Sequence, residues 1–155
     1  MLKNWIKDRV NEGRLKSPWL IHYDCGSCNG CDIEVLACLT PVYDIERFGI
    51  INVGNPKHAD VLLVTGTVNQ RNKHVLKNIY DQMPSPKAVL ALGACGLSGG
   101  VFRECYNVVG GVEVVVPLHQ RANLRLIGEN RAVTDSMLSY AGLRDPLSGQ
   151  SWGGV

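Results

Sequence analysis

The chain has 155 residues, 45% of them hydrophobic, and a formal net charge of +2 at neutral pH. This length and apolar content allow one compact domain with a substantial core, and the mild charge argues against a nucleic-acid-binding surface. No apolar stretch reaches the length of a transmembrane helix and no signal peptide is recognisable, so we expect a soluble protein made in the cytoplasm.

The first predicted elements are a helix, a strand and a second helix. Apolar residues recur at helical spacing within residues 1–16, which predicts a short amphipathic helix. The apolar run Trp19–Tyr23 predicts a buried strand, and a loop with three cysteines leaves its carboxyl end. Loops at that end of a strand are the usual ligand-binding positions of an open α/β sheet. Asp32–Leu39 is predicted to be a helix that ends before Pro41.

Four further short runs, which are rich in β-branched residues or continuously apolar, predict strands that are buried on both faces, as in a parallel sheet. These runs are Ile50–Val53, Val61–Thr65, Ala88–Leu92 and Val112–Val116. Gln70–Met83 has apolar residues at helical spacing and supplies a crossover helix. The alternation predicts one doubly wound α/β domain over residues 17–141. A final helix is predicted within Gln120–Ala141, followed by an irregular tail over residues 142–155.

The cysteines are the residues that suggest a chemical function. Cys28 and Cys31 form a Cys-x-x-Cys pair after the first predicted strand, and Cys95 lies at the end of another strand. We expect two such loops to converge at one edge of the sheet. The spacing alone leaves an iron–sulfur cluster, a zinc ion and a redox-active dithiol open, because a single Cys-x-x-Cys occurs in all three. Cys38, on the predicted helix, is interpreted as a small buried residue.

Several longer segments resemble the small subunit of energy-converting, membrane-bound [NiFe] hydrogenases (group 4), which are homologous to the cluster-bearing 20 kDa subunit of respiratory complex I. The resemblance covers about residues 17–117 and is carried by Cys28-Asn29-Gly30-Cys31-Asp32-Ile33-Glu34 and by the segments 39–49, 58–66, 93–95 and 99–102. It implies a flavodoxin-like α/β fold with a mainly parallel sheet and helices on both faces, holding one proximal [4Fe–4S] cluster. Complex I members have adjacent cysteines where this chain has Gly30-Cys31, so the separated pair favours the hydrogenase side.

The resemblance also implies roles for individual residues. Cys28, Cys31 and Cys95 match three ligands of the cluster. Glu34 resembles a family glutamate near the active-site interface that is associated with proton movement, a task that a carboxylate can perform. The alternative explanation of Glu34 is a negative charge favoured by the dipole early in a helix.

The chain departs from the family where the fourth ligand is expected. Relatives have a motif similar to Val-Pro-Gly-Cys-Pro-Pro there, whereas Pro117 is followed here by Leu-His-Gln-Arg and no cysteine occurs after Cys105. An ungapped alignment puts His119 at the cysteine position, and imidazole can bind the iron of a cluster. The candidates for the fourth ligand are therefore His119, Cys105 and Cys25. The missing motif has a second possible explanation, which is that the C-terminus after Pro117 is frameshifted or replaced and not diverged.

These features predict an electron-transfer small subunit between a ferredoxin-like 2×[4Fe–4S] subunit and a [NiFe] large subunit. The resemblance implies membrane-embedded, ion-translocating partners and a peripheral position on the cytoplasmic face of the membrane. The nickel ligands of relatives belong to the large subunit, so the isolated chain is predicted to be inactive as a hydrogenase. Two alternatives remain: a complex I-like subunit that passes electrons to quinone, and an interaction subunit stabilised by a zinc site made of Cys28, Cys31, Cys95 and His119.

Overall fold

A computed structural model describes residues 10, 13 and 17–122 of the chain. The strands of this part are β1 (Trp19–Asp24), β2 (Ile51–Asn52), β3 (Val61–Thr65), β4 (Val68–Asn69), β5 (Ala88–Leu92), β6 (Val108–Gly110) and β7 (Gln120–Ala122). Its α-helices are α1 (Gly30–Cys38), α2 (Asn72–Gln82) and α3 (Gly93–Ser98). Short 3-10 helices cover Ile45–Phe48, Pro56–His58, Gly100–Phe102 and Val112–Val114.

The main sheet is parallel and has the strand order β2-β1-β3-β5-β7. Counted along the chain within this sheet, the order is second, first, third, fourth and fifth, which is the order of flavodoxin-like doubly wound folds. The direction in which strands are added reverses between β1 and β3. Loops at the carboxyl ends of these two strands border the crevice in which such folds bind ligands. The fold class predicted from the sequence is confirmed.

Each face of the main sheet carries its own core. On the first face, Leu63 of β3 packs with Val35 and Cys38 of α1, so Cys38 is the small buried residue that its position predicted. On the second face, Leu62 of β3 packs with Leu76 of α2. Because helices cover both faces, every residue of β3 and β5 is buried, and all of these residues except Thr65 are apolar.

One predicted strand is wrong in type. Val112–Val116 was expected to extend the sheet, but Val112–Val114 forms a 3-10 helix and the strand beside β5 is Gln120–Ala122. The carbonyl oxygen of Val112 accepts hydrogen bonds from two later backbone N–H groups, which closes a turn. Val112 and Val116 are buried in the second core, so the apolar run reflects packing of a turn and not a strand. The helix predicted from Gln120 is also wrong at its start, because Gln120–Ala122 is a strand paired with β5.

Other differences concern short elements and the chain ends. The antiparallel pair of β4 and β6 and the six-residue helix α3 are too short to give a periodic signal in the sequence. Apart from positions 10 and 13, the helix predicted within residues 1–16 lies outside the described residues, as do the tail over residues 142–155 and the rest of the predicted final helix. In the described part, no helix is both long enough and apolar enough to cross a membrane.

Candidate metal centre

Cys28 and Cys31 lie between β1 and the first turn of α1. Cys28 is exposed, whereas Cys31 is half-buried and packs against the first core. Between them, Asn29 adopts a left-handed conformation with a φ of 65° and turns the backbone into the helix. The loop is fixed to the neighbouring strand at its start, because the N–H of Cys25 donates a hydrogen bond of 2.9 Å to the carbonyl oxygen of Thr65 in β3. The Cys28–Cys31 pair therefore lies at the point where the strand order reverses.

Cys95 reaches the same edge of the sheet from β5. It lies in α3, which begins at Gly93, directly after the last residue of β5. Gly93 has a φ of 77°, and a Cβ atom at this position would lie 2.6 Å from the sulfur of Cys31. Only glycine combines this positive φ with so close an approach at low cost. The two cysteine segments are thus in contact across the carboxyl end of β3, as their positions after strands predicted.

The thiols of Cys28, Cys31 and Cys95 interact electrostatically. Burial, followed by the negative charges of Cys95, Asp32, Cys28 and Glu34, raises the pKa of Cys31 to about 11. Burial and then the charge of Cys28 raise the pKa of Cys95. The neighbouring thiolates therefore disfavour ionisation of Cys31 and Cys95, and a cationic centre beside them would relieve that repulsion. Neighbouring thiols are the donor type that iron–sulfur clusters use.

Cys25 lies on the other side of the sheet. Its side chain is fully buried in the second core, whereas Cys31 packs against the first core. Burial is the main cause that raises the pKa of the Cys25 thiol to about 12. Its carbonyl oxygen accepts hydrogen bonds from the side-chain amides of Asn69 at 3.0 Å and Asn72 at 2.9 Å. Cys25 therefore anchors the loop, and the structure does not bring its thiol to the other three.

His119 lies beside the first half of β5. The Nδ1 atom of its ring accepts a hydrogen bond of 3.1 Å from the backbone N–H of Val89, and the backbone N–H of His119 donates a hydrogen bond of 3.0 Å to the carbonyl oxygen of Val89. Cys95 follows the opposite end of the same strand, so the structure separates His119 from the cysteines. Among residues 17–122, no three His, Cys, Asp or Glu side chains are grouped to hold a single metal ion. The zinc site with His119 as a ligand therefore receives no support from the geometry.

Cys105 and Glu34 are the remaining candidates from the sequence. Cys105 is exposed in a turn after the Gly100–Phe102 helix, where its N–H donates a hydrogen bond of 3.0 Å to the carbonyl oxygen of Phe102. Glu34 lies three residues beyond Cys31 in α1. Its Oε2 atom is buried and has no hydrogen-bond partner among the described residues. A buried carboxylate oxygen without a donor is costly, which makes it a natural acceptor for a proton or a water molecule.

A polar network that the sequence patterns did not predict lies beside the cysteine loop. Oδ1 of Asp32 accepts a hydrogen bond of 2.6 Å from the Thr65 hydroxyl and lies 2.9 Å from Nε2 of His22. Oδ2 of Asp32 accepts a hydrogen bond from the Ser27 hydroxyl. Burial opposes ionisation of Asp32, but the hydrogen bonds from Ser27 and Thr65 and the nearby His22 outweigh it and lower the pKa of Asp32. The sequence gives one indication of this network, which is His22 within the otherwise apolar run Trp19–Tyr23.

Comparison with known proteins identifies relatives of this chain. Residues 28–126 match the family described as NADH ubiquinone oxidoreductase, 20 Kd subunit. The probable membrane-bound hydrogenase subunit mbhJ of Pyrococcus furiosus is 50% identical over 103 residues, which are 66% of this chain and 62% of that protein. Formate hydrogenlyase subunit 7 of Escherichia coli is 45% identical over 103 residues, which are 66% of this chain and 40% of that protein. The chain thus spans less than two thirds of the length of both relatives.

A solved structure agrees with these matches. A chain of the membrane-bound sulfane sulfur reductase, an archaeal respiratory membrane complex, superposes on this chain with a TM-score of 0.73 and 30% sequence identity. The superposition covers 86% of this chain and 73% of the other.

Proposed function

Because the chain belongs to the family of the 20 kDa subunit of NADH–ubiquinone oxidoreductase, we propose that it is the electron-transfer small subunit of a membrane-associated [NiFe] hydrogenase complex. The observation that carries this proposal is the meeting of Cys28, Cys31 and Cys95 at the switch point of a flavodoxin-like sheet. A [4Fe–4S] cluster bound there would supply one-electron transfer. The 50% identity to a probable membrane-bound hydrogenase subunit supports the hydrogenase assignment over the quinone-reducing alternative.

Cys28, Cys31 and Cys95 are the residues that we propose to hold the cluster. In a four-iron cluster each cysteine binds a different iron, so the sulfurs do not converge on one point as they do around a single ion. The raised pKa values of Cys31 and Cys95 favour the protonated thiols in the iron-free chain, and iron binding would displace those protons. The bare Cα of Gly93 leaves room for the Cys31 sulfur. The donor set and its surroundings therefore fit an iron–sulfur cluster.

Cys105 is the residue that we propose for the fourth iron. Its thiol is exposed on the segment that follows the helix of Cys95. The other two candidates have different surroundings, because Cys25 is buried in the second core and His119 is hydrogen-bonded to Val89. A serine in place of Cys105 tests this assignment, since loss of one cysteine ligand converts a four-iron cluster into a more labile or three-iron form.

Glu34 is the residue that we propose for proton transfer. The buried Oε2 of Glu34 has no hydrogen-bond donor among the described residues, and the side chain lies three residues beyond the proposed ligand Cys31. A carboxylate in this position can take a proton from one side and release it to another group as the partner subunit reacts.

Exposed apolar side chains beside the cysteine segments support burial of this edge in a complex. Ile33 and Leu36 of α1 are 63% and 58% exposed, and Val101 after α3 is 90% exposed. Large apolar side chains at a surface are suited to protein interfaces. The partners that we propose are a [NiFe] large subunit, a ferredoxin-like 2×[4Fe–4S] subunit and membrane-embedded ion-translocating subunits. The proposed location is the cytoplasmic face of the membrane, and the isolated chain is expected to evolve no hydrogen.

Anaerobic purification of the complex from its native host through an affinity tag on this chain tests the assignment. We expect a co-purifying large subunit with nickel and iron, and hydrogen evolution from a reduced low-potential donor. A complex without nickel that reduces quinone or sulfur would contradict the hydrogenase assignment while leaving the cluster-binding role open to separate measurement.

A further inference from the structure

We propose that Asp32 positions the Cys28–Cys31 pair for cluster binding and tunes the cluster through its negative charge. This inference rests on the proposed cluster-binding function. Asp32 acts through hydrogen bonds and through its charge, so it is a positioning residue and not a ligand. Its carboxylate contacts Ser27 of the cysteine loop, Thr65 of β3 and His22 of β1.

The carboxylate first connects the two ends of the cysteine pair. Ser27 directly precedes Cys28, and Asp32 directly follows Cys31. The Ser27 hydroxyl donates a hydrogen bond to Oδ2 of Asp32, and the same Ser27 oxygen accepts a hydrogen bond of 3.0 Å from the N–H of Asn29. These contacts close the segment into a loop whose ends are joined through side chains. The backbone around both cysteines is therefore fixed before any metal binds.

The same carboxylate attaches this loop to the sheet. Thr65, the last residue of β3, donates a hydrogen bond of 2.6 Å to Oδ1 of Asp32. Because that bond uses the only hydroxyl hydrogen of Thr65, its oxygen acts as the acceptor towards Nε2 of His22, which lies 3.0 Å away. Nε2 of His22 therefore carries a hydrogen, which it also directs at Oδ1 of Asp32 over 2.9 Å. Asp32 is thus tied to β1 and β3, the two strands at the switch point.

The first half of the loop is held by different contacts. Oδ1 of Asp24 accepts hydrogen bonds from the N–H groups of Gly26 at 2.7 Å and Ser27 at 2.6 Å. These bonds end before Cys28, so they fix the exit from β1 without fixing the cysteine pair. Removal of the Asp32 carboxylate should consequently loosen the pair while the rest of the loop keeps its shape. Because Asp24 holds the first half of the loop, the effect of Asp32 on the cysteine pair can be measured without unfolding the loop.

The charge of Asp32 has a second consequence. An anion beside a cluster stabilises the oxidised state, which carries the more positive charge, and so lowers the reduction potential. Asp32 lies next to the proposed ligand Cys31, and its carboxylate oxygens accept hydrogen bonds from Ser27 and Thr65 and lie 2.9 Å from Nε2 of His22. A neutral residue of the same shape should therefore raise the midpoint potential. A residue with a merely structural role would not shift the potential in a defined direction.

The test compares Asp32→Asn with a matched removal of charge elsewhere. Asp81→Asn is the control, because Asp81 forms an exposed ion pair with Lys77 on α2. In the full chain, reconstituted anaerobically, Asp32→Asn is expected to raise the midpoint potential in an EPR-monitored titration and to speed iron loss to a chelator about tenfold. In iron-free Asp32→Asn protein, Cys31 is expected to be alkylated severalfold faster than in iron-free wild-type protein. Asp81→Asn is expected to match wild type in all three measurements.

A pair of substitutions at Thr65 keeps the proposal testable if Asp32→Asn does not fold. Thr65→Val removes the donor to Asp32 and is expected to speed alkylation of Cys31, whereas Thr65→Ser keeps the hydroxyl and is expected to restore the wild-type rate. Equal results for Asp32→Asn and Asp81→Asn, or for the two Thr65 variants, would overturn the inference. Wild-type protein that binds no iron would instead contradict the proposed cluster, and the alkylation rates would still report on the positioning by Asp32.

Discussion

Gly93 lies so close to Cys31 that a Cβ atom on the glycine would be 2.6 Å from the cysteine sulfur. The contact joins the segment after β5 to the segment after β1, although β3 lies between these strands in the sheet. Cys95 follows Gly93 by two residues, so this contact fixes how the two cysteine segments face each other. The spacing of the three proposed ligands therefore depends on the absence of a side chain at one position.

Gly93→Ala is expected to lower both stability and iron content. Alanine at a φ of 77° costs about 1–2 kcal/mol, and its methyl group would displace the Cys31 sulfur. Chemical denaturation of the iron-free protein and iron per chain after reconstitution measure the two effects. Gly54→Ala is the matched control, because a Cβ at Gly54 has no atom within 4 Å. If the two variants bind equal amounts of iron, the contact does not shape the site.

The buried thiol of Cys25 predicts a loss of stability at alkaline pH. The ordinary pKa of this group is 9.0, and burial raises it to about 12 in the folded protein. Between these values the unfolded chain has lost the proton that the folded chain keeps, so the free energy of unfolding falls as pH rises. Urea denaturation of iron-free protein from pH 8 upwards should show a smaller decline for Cys25→Ala than for wild type. Parallel declines would mean that the thiol ionises equally in both states.

His119 is expected to contribute to stability and not to iron binding. His119→Ala leaves the N–H of Val89 without its side-chain acceptor, and the exposed position limits the expected loss to about 0.5–1.5 kcal/mol. Iron per chain should remain at the wild-type value, in contrast to Cys95→Ala, which should lose most of its iron. A loss of iron in His119→Ala comparable to that in Cys95→Ala would make the imidazole a ligand.

Glu34→Gln is expected to slow hydrogen formation by the assembled complex at least about tenfold, because glutamine cannot take up and release a proton. The EPR signal of the cluster should stay unchanged, since the variant keeps the shape and the position of the side chain. Glu46→Gln, at an exposed position outside the cysteine segments, provides the control. Equal rates of hydrogen formation in the two variants would remove Glu34 from the proton path.

The fold was largely predictable because its central strands are unusually clear. Ala88–Leu92 is apolar throughout and Val61–Thr65 is apolar up to its last residue, and both are strands with the predicted bounds. The run Val112–Val116 is also rich in β-branched residues, although it includes Glu113, but it forms a turn, because apolar residues report burial and do not distinguish a buried strand from a buried turn. The strand that takes its place, Gln120–Ala122, is polar and gives no such signal.

The site was predictable only in part. Positions after strands predicted that Cys31 and Cys95 would meet, because parallel strands end at a common edge of the sheet. The separation of Cys25 from them depends on which face of the sheet its side chain enters, and a loop sequence does not determine that direction. The contacts of Asp32 with His22 and Thr65 depend on the register of β1 against β3, in which Asp24 pairs with Thr65. Such register is a property of the folded sheet.

Cluster binding by this chain is tested most directly by the content of iron and acid-labile sulfide in the anaerobically purified protein, with EPR after reduction. We predict a brown protein with at least about three irons per chain and a similar amount of sulfide. We also predict that replacing Cys28, Cys31 or Cys95 by alanine removes most of both. Fewer than about three irons per chain, or a colourless protein with one zinc ion and no sulfide, would contradict cluster binding by this chain.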